Sequence, residues 1–281
     1  MNYAFFGTPD FADAVLQALI AAGMPPSLAV CNPDRPKGRK NIITPPPVKV
    51  RARACGIPVL QPEAPHEAIL TLRELNPDFL LVVAYAKIIP KEILGVPRLG
   101  AIGLHPSLLP RHRGATPIQS AILQGDKETG VTIYLLDEKI DHGPILAQRS
   151  AAAGGQNYVE LSRALAELGG GLLVEILPKF LNGAIRPRPQ DESLATYTKK
   201  LSSDDGFIAP PDLAAAERGQ DPHAVGAIMR KILALNPEPG AWTVRDGKRV
   251  KLLEAEVKGG ALTVKKIQVE GGKPRIASSS S

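Results

Sequence analysis

Apolar and polar positions follow two rhythms as far as residue 181. Short, nearly continuous apolar runs occur at Tyr3–Phe6, Leu28–Cys31, Pro58–Leu60, Phe79–Tyr85 and Ala101–Leu104. Between them, at Phe11–Ala22, Val48–Cys55 and Glu67–Leu75, apolar residues recur three and four apart. The first pattern suits strands buried on both faces and the second suits helices laid over them. Phe79–Tyr85, apolar throughout, is suited to the sheet centre. Further on, the spacing predicts a helix over Pro117–Gln124 and strands at Val131–Leu136 and Pro144–Arg149, joined by the turn Asp137–Gly143. A long helix follows over Tyr158–Leu181. The fold class implied is α/β, Rossmann-like, with a mostly parallel sheet.

The pattern changes after Asn182. Arg186-Pro187-Arg188-Pro189-Gln190 cannot hold a helix and reads as an extended linker. Beyond it come a helix near His223–Ala234 and alternating strands at Trp242–Val244, Val250–Val257 and Leu262–Val269. They suggest a small β domain, with Trp242 in its core. The expected organisation is a domain over 1–185, a linker over 186–200, the β domain over 201–277, and a disordered low-complexity tail at 278–281.

With 44% hydrophobic and 22% charged residues the chain can build a core. No run of 18 apolar residues is present, so no membrane span is expected. The start, Met1–Phe6, lacks a basic leader, and Cys31 and Cys55 are too few for a disulfide scaffold or thiolate metal site. A cytoplasmic protein without a metal is the expectation. Charge is unevenly spread. Arg35, Lys37, Arg39, Lys40, Lys49, Arg51 and Arg53 form a window with no acid, and from Gly226 onward eleven basic residues face five acidic ones. Two basic islands on an acidic body suit a polyanion held at two places, and equally suit two solvated faces.

Candidate chemistry concentrates in two loops. His105 ends an apolar strand and opens the stiff loop Pro106-Ser107-Leu108-Leu109-Pro110. Imidazole there can move a proton or donate to developing negative charge. Asp141, in the later turn with Asp137, could meet and orient it. His112 and His142 lie in polar segments and are expected to face solvent. Gly7-Thr8-Pro9-Asp10 is not a dinucleotide fingerprint; Asp10 is expected to cap the first helix.

These pieces, in this order, resemble the folate-dependent formyltransferase family. The resemblance rests on Phe6-Gly7-Thr8-Pro9-Asp10-Phe11, Pro33-Asp34-Arg35-Pro36-Lys37-Gly38-Arg39 with Pro47-Val48-Lys49, and Val82-Val83-Ala84-Tyr85. It rests equally on His105–Pro110 with Arg113-Gly114, Thr129-Gly130-Val131-Thr132 with Asp141-His142-Gly143, and Asn236-Pro237 with Pro239-Gly240-Ala241-Trp242-Thr243. The basic insert and the last segment are particular to the branch acting on charged tRNA. The resemblance implies formyl transfer from 10-formyltetrahydrofolate to the α-amine of methionine on initiator methionyl-tRNA, by a monomer.

In the family an Asn-x-His motif and a distant Asp surround the formyl carbon. His105 and Asp141 match, whereas Gly103 stands where the Asn belongs. A lost oxyanion donor typically costs ~10²–10³ in rate, so a substitute is expected: a water in the vacated space or a backbone N–H. The resemblance further implies a pterin pocket near Ala84, Tyr85, Lys87, Ile88 and Asp137, with Ser107, Leu108, Leu109 and Pro110 along the aminobenzoyl side. tRNA contacts are expected from Arg35, Lys37, Arg39, Lys40 and Lys49, and from Lys248, Arg249, Lys251, Lys265 and Lys266. The resemblance implies a small OB-like β-barrel as the C-terminal domain, here shorter than usual for the family and lacking some central barrel strands. Transfer to another amine (an amino-sugar nucleotide or glycinamide ribonucleotide) and a non-catalytic tRNA- or folate-binding role stay open alternatives.

Overall fold

The structure, a computed structural model, describes residues 1–38 and 40–277. Its elements begin with β1 (Tyr3–Gly7), α1 (Asp10–Ala21), β2 (Leu28–Val30), β3 (Arg35–Lys37), β4 (Ile42–Thr44), α2 (Pro47–Ala54) and β5 (Val59–Leu60). They continue through α3 (Ile69–Leu75), β6 (Phe79–Val83), α4 (Lys91–Leu94), β7 (Ala101–His105), β8 (Arg113–Gly114) and α5 (Pro117–Gln124). Next come β9 (Glu128–Leu135), β10 (Ile145–Ala152), α6 (Tyr158–Leu181) and β11 (Tyr197–Thr198). The chain closes with α7 (Pro210–Glu217), α8 (Pro222–Leu235), β12 (Trp242–Arg245), β13 (Lys248–Lys258), β14 (Ala261–Val269) and β15 (Arg275–Ile276).

The most apolar run does take the middle of the main sheet, whose order is β10-β9-β7-β6-β1-β2-β5. β7, β6, β1, β2 and β5 are parallel. Both faces of these strands are covered: Ala4, Phe6, Leu80 and Tyr85 share one apolar cluster with Leu72 and Ile93, while Tyr3 and Phe5 on the alternate positions are also fully buried. Tyr3 stacks on Phe79 with ring centroids 4.9 Å apart, and Phe180 meets Phe79 edge-on. Such double-sided burial is the physical reason the strands read as continuous apolar runs.

One local expectation, at the start of α1, is corrected. Pro9, not Asp10, stands at the cap of α1; Asp10 is its first residue, placed with Asp13 to complement the helix dipole. The basic window that begins at Arg35 opens with the β3–β4 hairpin. The sheet is mostly parallel, as expected, with β9 running antiparallel to β7.

The chain forms two compact units. One comprises Met1–Gly114, Thr129–Ala151 and Ser162–Tyr197; the other comprises Ala115–Glu128, Ala152–Leu161 and the chain from Thr198 onward. Residues 186–197, expected as linker, therefore belong to the first unit, where Arg188 and Ile145 exchange backbone hydrogen bonds of 2.7 and 2.8 Å. α5 belongs to the second unit, where the Arg230 guanidinium donates to the Leu123 carbonyl at 3.0 Å. That unit carries a four-stranded antiparallel sheet in the order β12-β13-β14-β15, the small C-terminal β domain that the alternating strands imply. Its core joins Leu213, Val225, Ile228, Ile232, Val250, Leu252 and Leu262. Trp242 is not in that core: half-buried, its ring meets Phe207 with centroids 4.8 Å apart, and the Arg249 guanidinium lies 4.0 Å from its centre. The tail at 278–281 lies outside the described residues.

Gly7 ends β1 where the chain turns into α1. A Cβ there would lie 2.6 Å from the Phe5 ring, 2.7 Å from Ala12 and 3.0 Å from the Val83 carbonyl. Gly7→Ala is expected to lower unfolding stability by about 1–3 kcal/mol through overpacking, read as a shifted denaturation midpoint in urea.

Candidate active site

β7 ends at His105, and the antiparallel register of β9 sets Gly103 opposite Tyr134 and His105 opposite Thr132. Opposed residues share a sheet face, and so do residues two apart. One face therefore presents Gly103, His105, Thr132 and Tyr134 together. The end of β9 lies beside the start of β7, so the turn after it has to double back along the sheet to reach His105. Asp141 makes that reversal with a left-handed φ of 49°.

His105 is buried, with Nε2 2.9 Å from the carbonyl oxygen of His112. A carbonyl only accepts, so Nε2 carries a proton. Nδ1 lies 3.5 Å from Asp141 Oδ2. The Asp141 carboxylate is held from other directions: the Gly114 N–H donates to Oδ2 at 2.7 Å and the Tyr134 hydroxyl donates to Oδ1 at 2.6 Å. His105 and Asp141, the two residues expected to converge, do so.

No space is vacated beside Gly103. A Cβ at that position would stand 2.5 and 2.8 Å from the Tyr134 ring and 2.7 Å from Leu136. The expectation of a water there is corrected: the phenol of Tyr134 fills the volume.

The loop after β7 is tied down by Thr132, whose hydroxyl donates to the Ser107 carbonyl at 2.7 Å and accepts from the Leu109 N–H at 3.0 Å. Ser107 spends its hydroxyl on the Arg111 carbonyl, and Leu109 is buried against Tyr134 and Ile145. Of the four loop residues expected along a bound ligand, Ser107 and Leu109 thus face inward, while Leu108 and Pro110 stay half-exposed. After β6, Ala84 and Ala86 both take left-handed backbone, φ 47° and 63°, and are exposed. Such conformations cost a non-glycine residue free energy and persist where the surroundings impose them. Tyr85 between them is core, edge-on to Phe6. Lys87 is occupied with the Pro62 and Glu63 carbonyls at 3.1 and 2.8 Å, and Ile88 is exposed. Asp137 turns back onto its own loop, accepting from the Lys139 N–H and facing His142 Nδ1 at 2.6 Å. His112 is buried and His142 is engaged with Asp137, so neither is the solvent-facing residue expected.

Arg113 is fully buried, and its sequence pattern assigns it no chemical role. It donates to both carboxylate oxygens of Glu192 at 2.6 and 2.9 Å, to Gln190 Oε1 at 2.7 Å and to the Tyr197 hydroxyl at 3.0 Å. Gln190 in turn donates to the carbonyls of Asp141 and Gly143 at 2.9 and 2.8 Å. The segment read as a linker is therefore a strap holding the Asp141 turn. Nothing in its own residue pattern signals this, because its partners come from the distant loops after β7 and β9.

The basic positions divide into engaged and open. Lys49 is buried and donates to both oxygens of Asp34 at 2.7 Å; this hydrogen bond, with one from Gln61, holds the Asp34 carboxyl below its ordinary range. Arg35 pairs with Glu63, Lys265 with Glu256 and Lys266 with Glu254, at 2.6, 2.6 and 2.9 Å. Arg249 lies on Trp242 and donates to the Ser203 hydroxyl at 2.8 Å. Lys37, Lys40 and Lys248 are exposed and Lys251 is half-buried. Arg39 lies outside the described residues.

A family model described as formyl transferase matches residues 1–177, and one for the C-terminal domain of formyl transferases matches residues 223–261. The chain belongs to the formyltransferase family. This formyltransferase is 43% identical over 266 residues to methionyl-tRNA formyltransferase of Chloroflexus aurantiacus, covering 92% of this chain and 80% of the relative. The structure of methionyl-tRNA formyltransferase from Clostridium thermocellum superposes with a TM-score of 0.64 at 18% identity, covering 97% of this chain and all of that one. HypX from Aquifex aeolicus, in complex with tetrahydrofolic acid, gives a TM-score of 0.70 at 18% identity over 98% of this chain and 45% of that one. These two likenesses establish the fold. No helix among the described residues is long and apolar enough to cross a membrane.

The Arg113 bond holds the Glu192 carboxyl below its ordinary value of 4.5. A lowered folded-state value means the pair contributes stability above the unfolded-state value and loses it as pH falls through the folded one. Glu192→Gln is expected to lower the melting temperature at pH 7 and to flatten the decline in stability below about pH 4.5, measured by thermal melts across a pH series.

Proposed function

We propose that this formyltransferase moves a formyl group from 10-formyltetrahydrofolate to the α-amine of methionyl-initiator tRNA, in the cytoplasm, for translation initiation. The observation that carries the reading is the convergence of His105 and Asp141 on one buried spot at a sheet end. The identity to relatives named for that reaction supports it.

The donor set suits the folate. Exposed peptide groups at Ala84 and Ala86 offer hydrogen bonds to a flat heterocycle, and half-exposed Leu108 and Pro110 offer apolar surface. Bound there, the folate supplies an activated one-carbon unit. In the transfer, an amine N–C bond forms and a folate C–N bond breaks; the amine nitrogen gives up a proton and the folate nitrogen gains one. The pair His105 and Asp141 is placed to manage that proton. His105 as imidazolium, with Nδ1 turned toward the site, donates to negative charge developing on the formyl oxygen. Asp141 stabilises that imidazolium and fixes its orientation.

Among the described residues, the expected contacts that stay exposed for phosphates are Lys37 and Lys40 on the β3–β4 hairpin and Lys248 on β13. They carry the tRNA reading with less charge than the sequence alone suggests, because four of the expected contacts are already paired with acids.

One assay tests the reading: labelled 10-formyltetrahydrofolate offered with methionine-charged initiator tRNA and, separately, with amino-sugar nucleotides and glycinamide ribonucleotide. Label is expected in the tRNA alone; formylation of a small amine instead would sink it. His105→Ala and Asp141→Asn are each expected to lower kcat by about 10²–10⁴. Lys37→Ala with Lys40→Ala is expected to raise KM for charged tRNA, reduce its salt dependence and leave KM for the folate unchanged.

A further inference from the structure

Tyr134 occupies an unusual place for a core aromatic. Its ring sits with Leu109, Ile145 and Leu136, where a phenylalanine would fill the same volume. Yet the hydroxyl is spent on Asp141 Oδ1 at 2.6 Å, the oxygen that neither Gly114 nor His105 engages. The ring reaches that carboxylate by crossing directly over Gly103, its opposite number on β7, where any Cβ would collide with it. Burial, and then the charge of Asp141, push the Tyr134 hydroxyl well above its ordinary value, so it stays a proton donor.

We propose that Tyr134 is a positioning residue: its hydroxyl holds Asp141 turned toward His105, and the missing side chain at Gly103 is what admits the phenol. The proposal rests on the formyl-transfer reading for its kinetic test and on geometry alone for its spectroscopic one. A carboxylate on a left-handed turn residue has one backbone donor, Gly114, on the oxygen nearest His105. A second donor on the other oxygen removes its remaining rotation. Glycine at 103 and tyrosine at 134 therefore form a coupled pair, in which a side chain on one strand requires the loss of a side chain on the other.

The experiment combines steady-state formylation of methionine-charged tRNA with the carboxyl carbon NMR signal of Asp141, assigned by its loss in Asp141→Asn. Tyr134→Phe keeps the ring and removes the oxygen. It is expected to lower kcat by about 10- to 100-fold with KM for both substrates and the melting temperature little changed, and to move the Asp141 signal. Gly103→Asn is expected to lose activity by forcing the ring aside; Gly103→Asn with Tyr134→Val relieves the clash and is expected to recover only to the level of Tyr134→Phe, a non-additive cycle. Tyr134→Phe with full kcat and an unmoved Asp141 signal overturns the proposal, as does a fully active Gly103→Asn. If the unaltered protein formylates no tRNA, the reading of the reaction fails, and the NMR comparison still decides whether Tyr134 holds Asp141.

Discussion

The Asp141 carboxylate is the point on which the site depends. It lies on a turn that leaves the sheet beside the start of β7 and must come back to meet the end of that strand. Bringing a charged group back over a sheet face is unfavourable unless its lone pairs are satisfied. Here the Gly114 N–H and the Tyr134 hydroxyl satisfy them, and the strap through Gln190 and Arg113 secures the backbone behind. Arg113 is fully buried and needs a bidentate carboxylate partner, which Glu192 supplies. The buried arginine, the strap and the turn are thus one connected hydrogen-bonded assembly, and the two groups that face each other at 3.5 Å are its output.

Charge follows a second constraint. A window of seven basic residues without an acid looks like a ligand surface when read along the chain. In space, Asp34, Glu63 and Asp13 reach Lys49, Arg35 and Arg51, so part of that charge maintains the fold. The exposed pairs Lys265–Glu256 and Lys266–Glu254 contribute little to stability, yet they lower the field that β13 and β14 present. Among the described residues, Lys37 and Lys40 at the β3–β4 hairpin and Lys248 at the start of β13 stay exposed.

Local pattern determined much of this protein. The helices Pro117–Gln124 and Tyr158–Leu181 have the limits that their spacing implies, and the apolar run at Phe79 holds the sheet centre. His105 at a strand end was legible because a titratable side chain closing an apolar run stands out from its neighbours. These features depend on periodicity and on burial, which neighbouring residues encode by themselves.

What the tertiary structure decided depends on register and on partners far along the chain. The antiparallel course of β9 could not be read from its residues, since an apolar strand looks the same in either direction; with it went the pairing of Gly103 with Tyr134. The roles of Lys49, Arg113 and the 186–197 strap were hidden for the same reason, because each is defined by a group more than a dozen residues away. Periodicity records which face of an element is buried. Only the folded chain records what that face meets, because contact between distant segments is set by how the whole sheet closes.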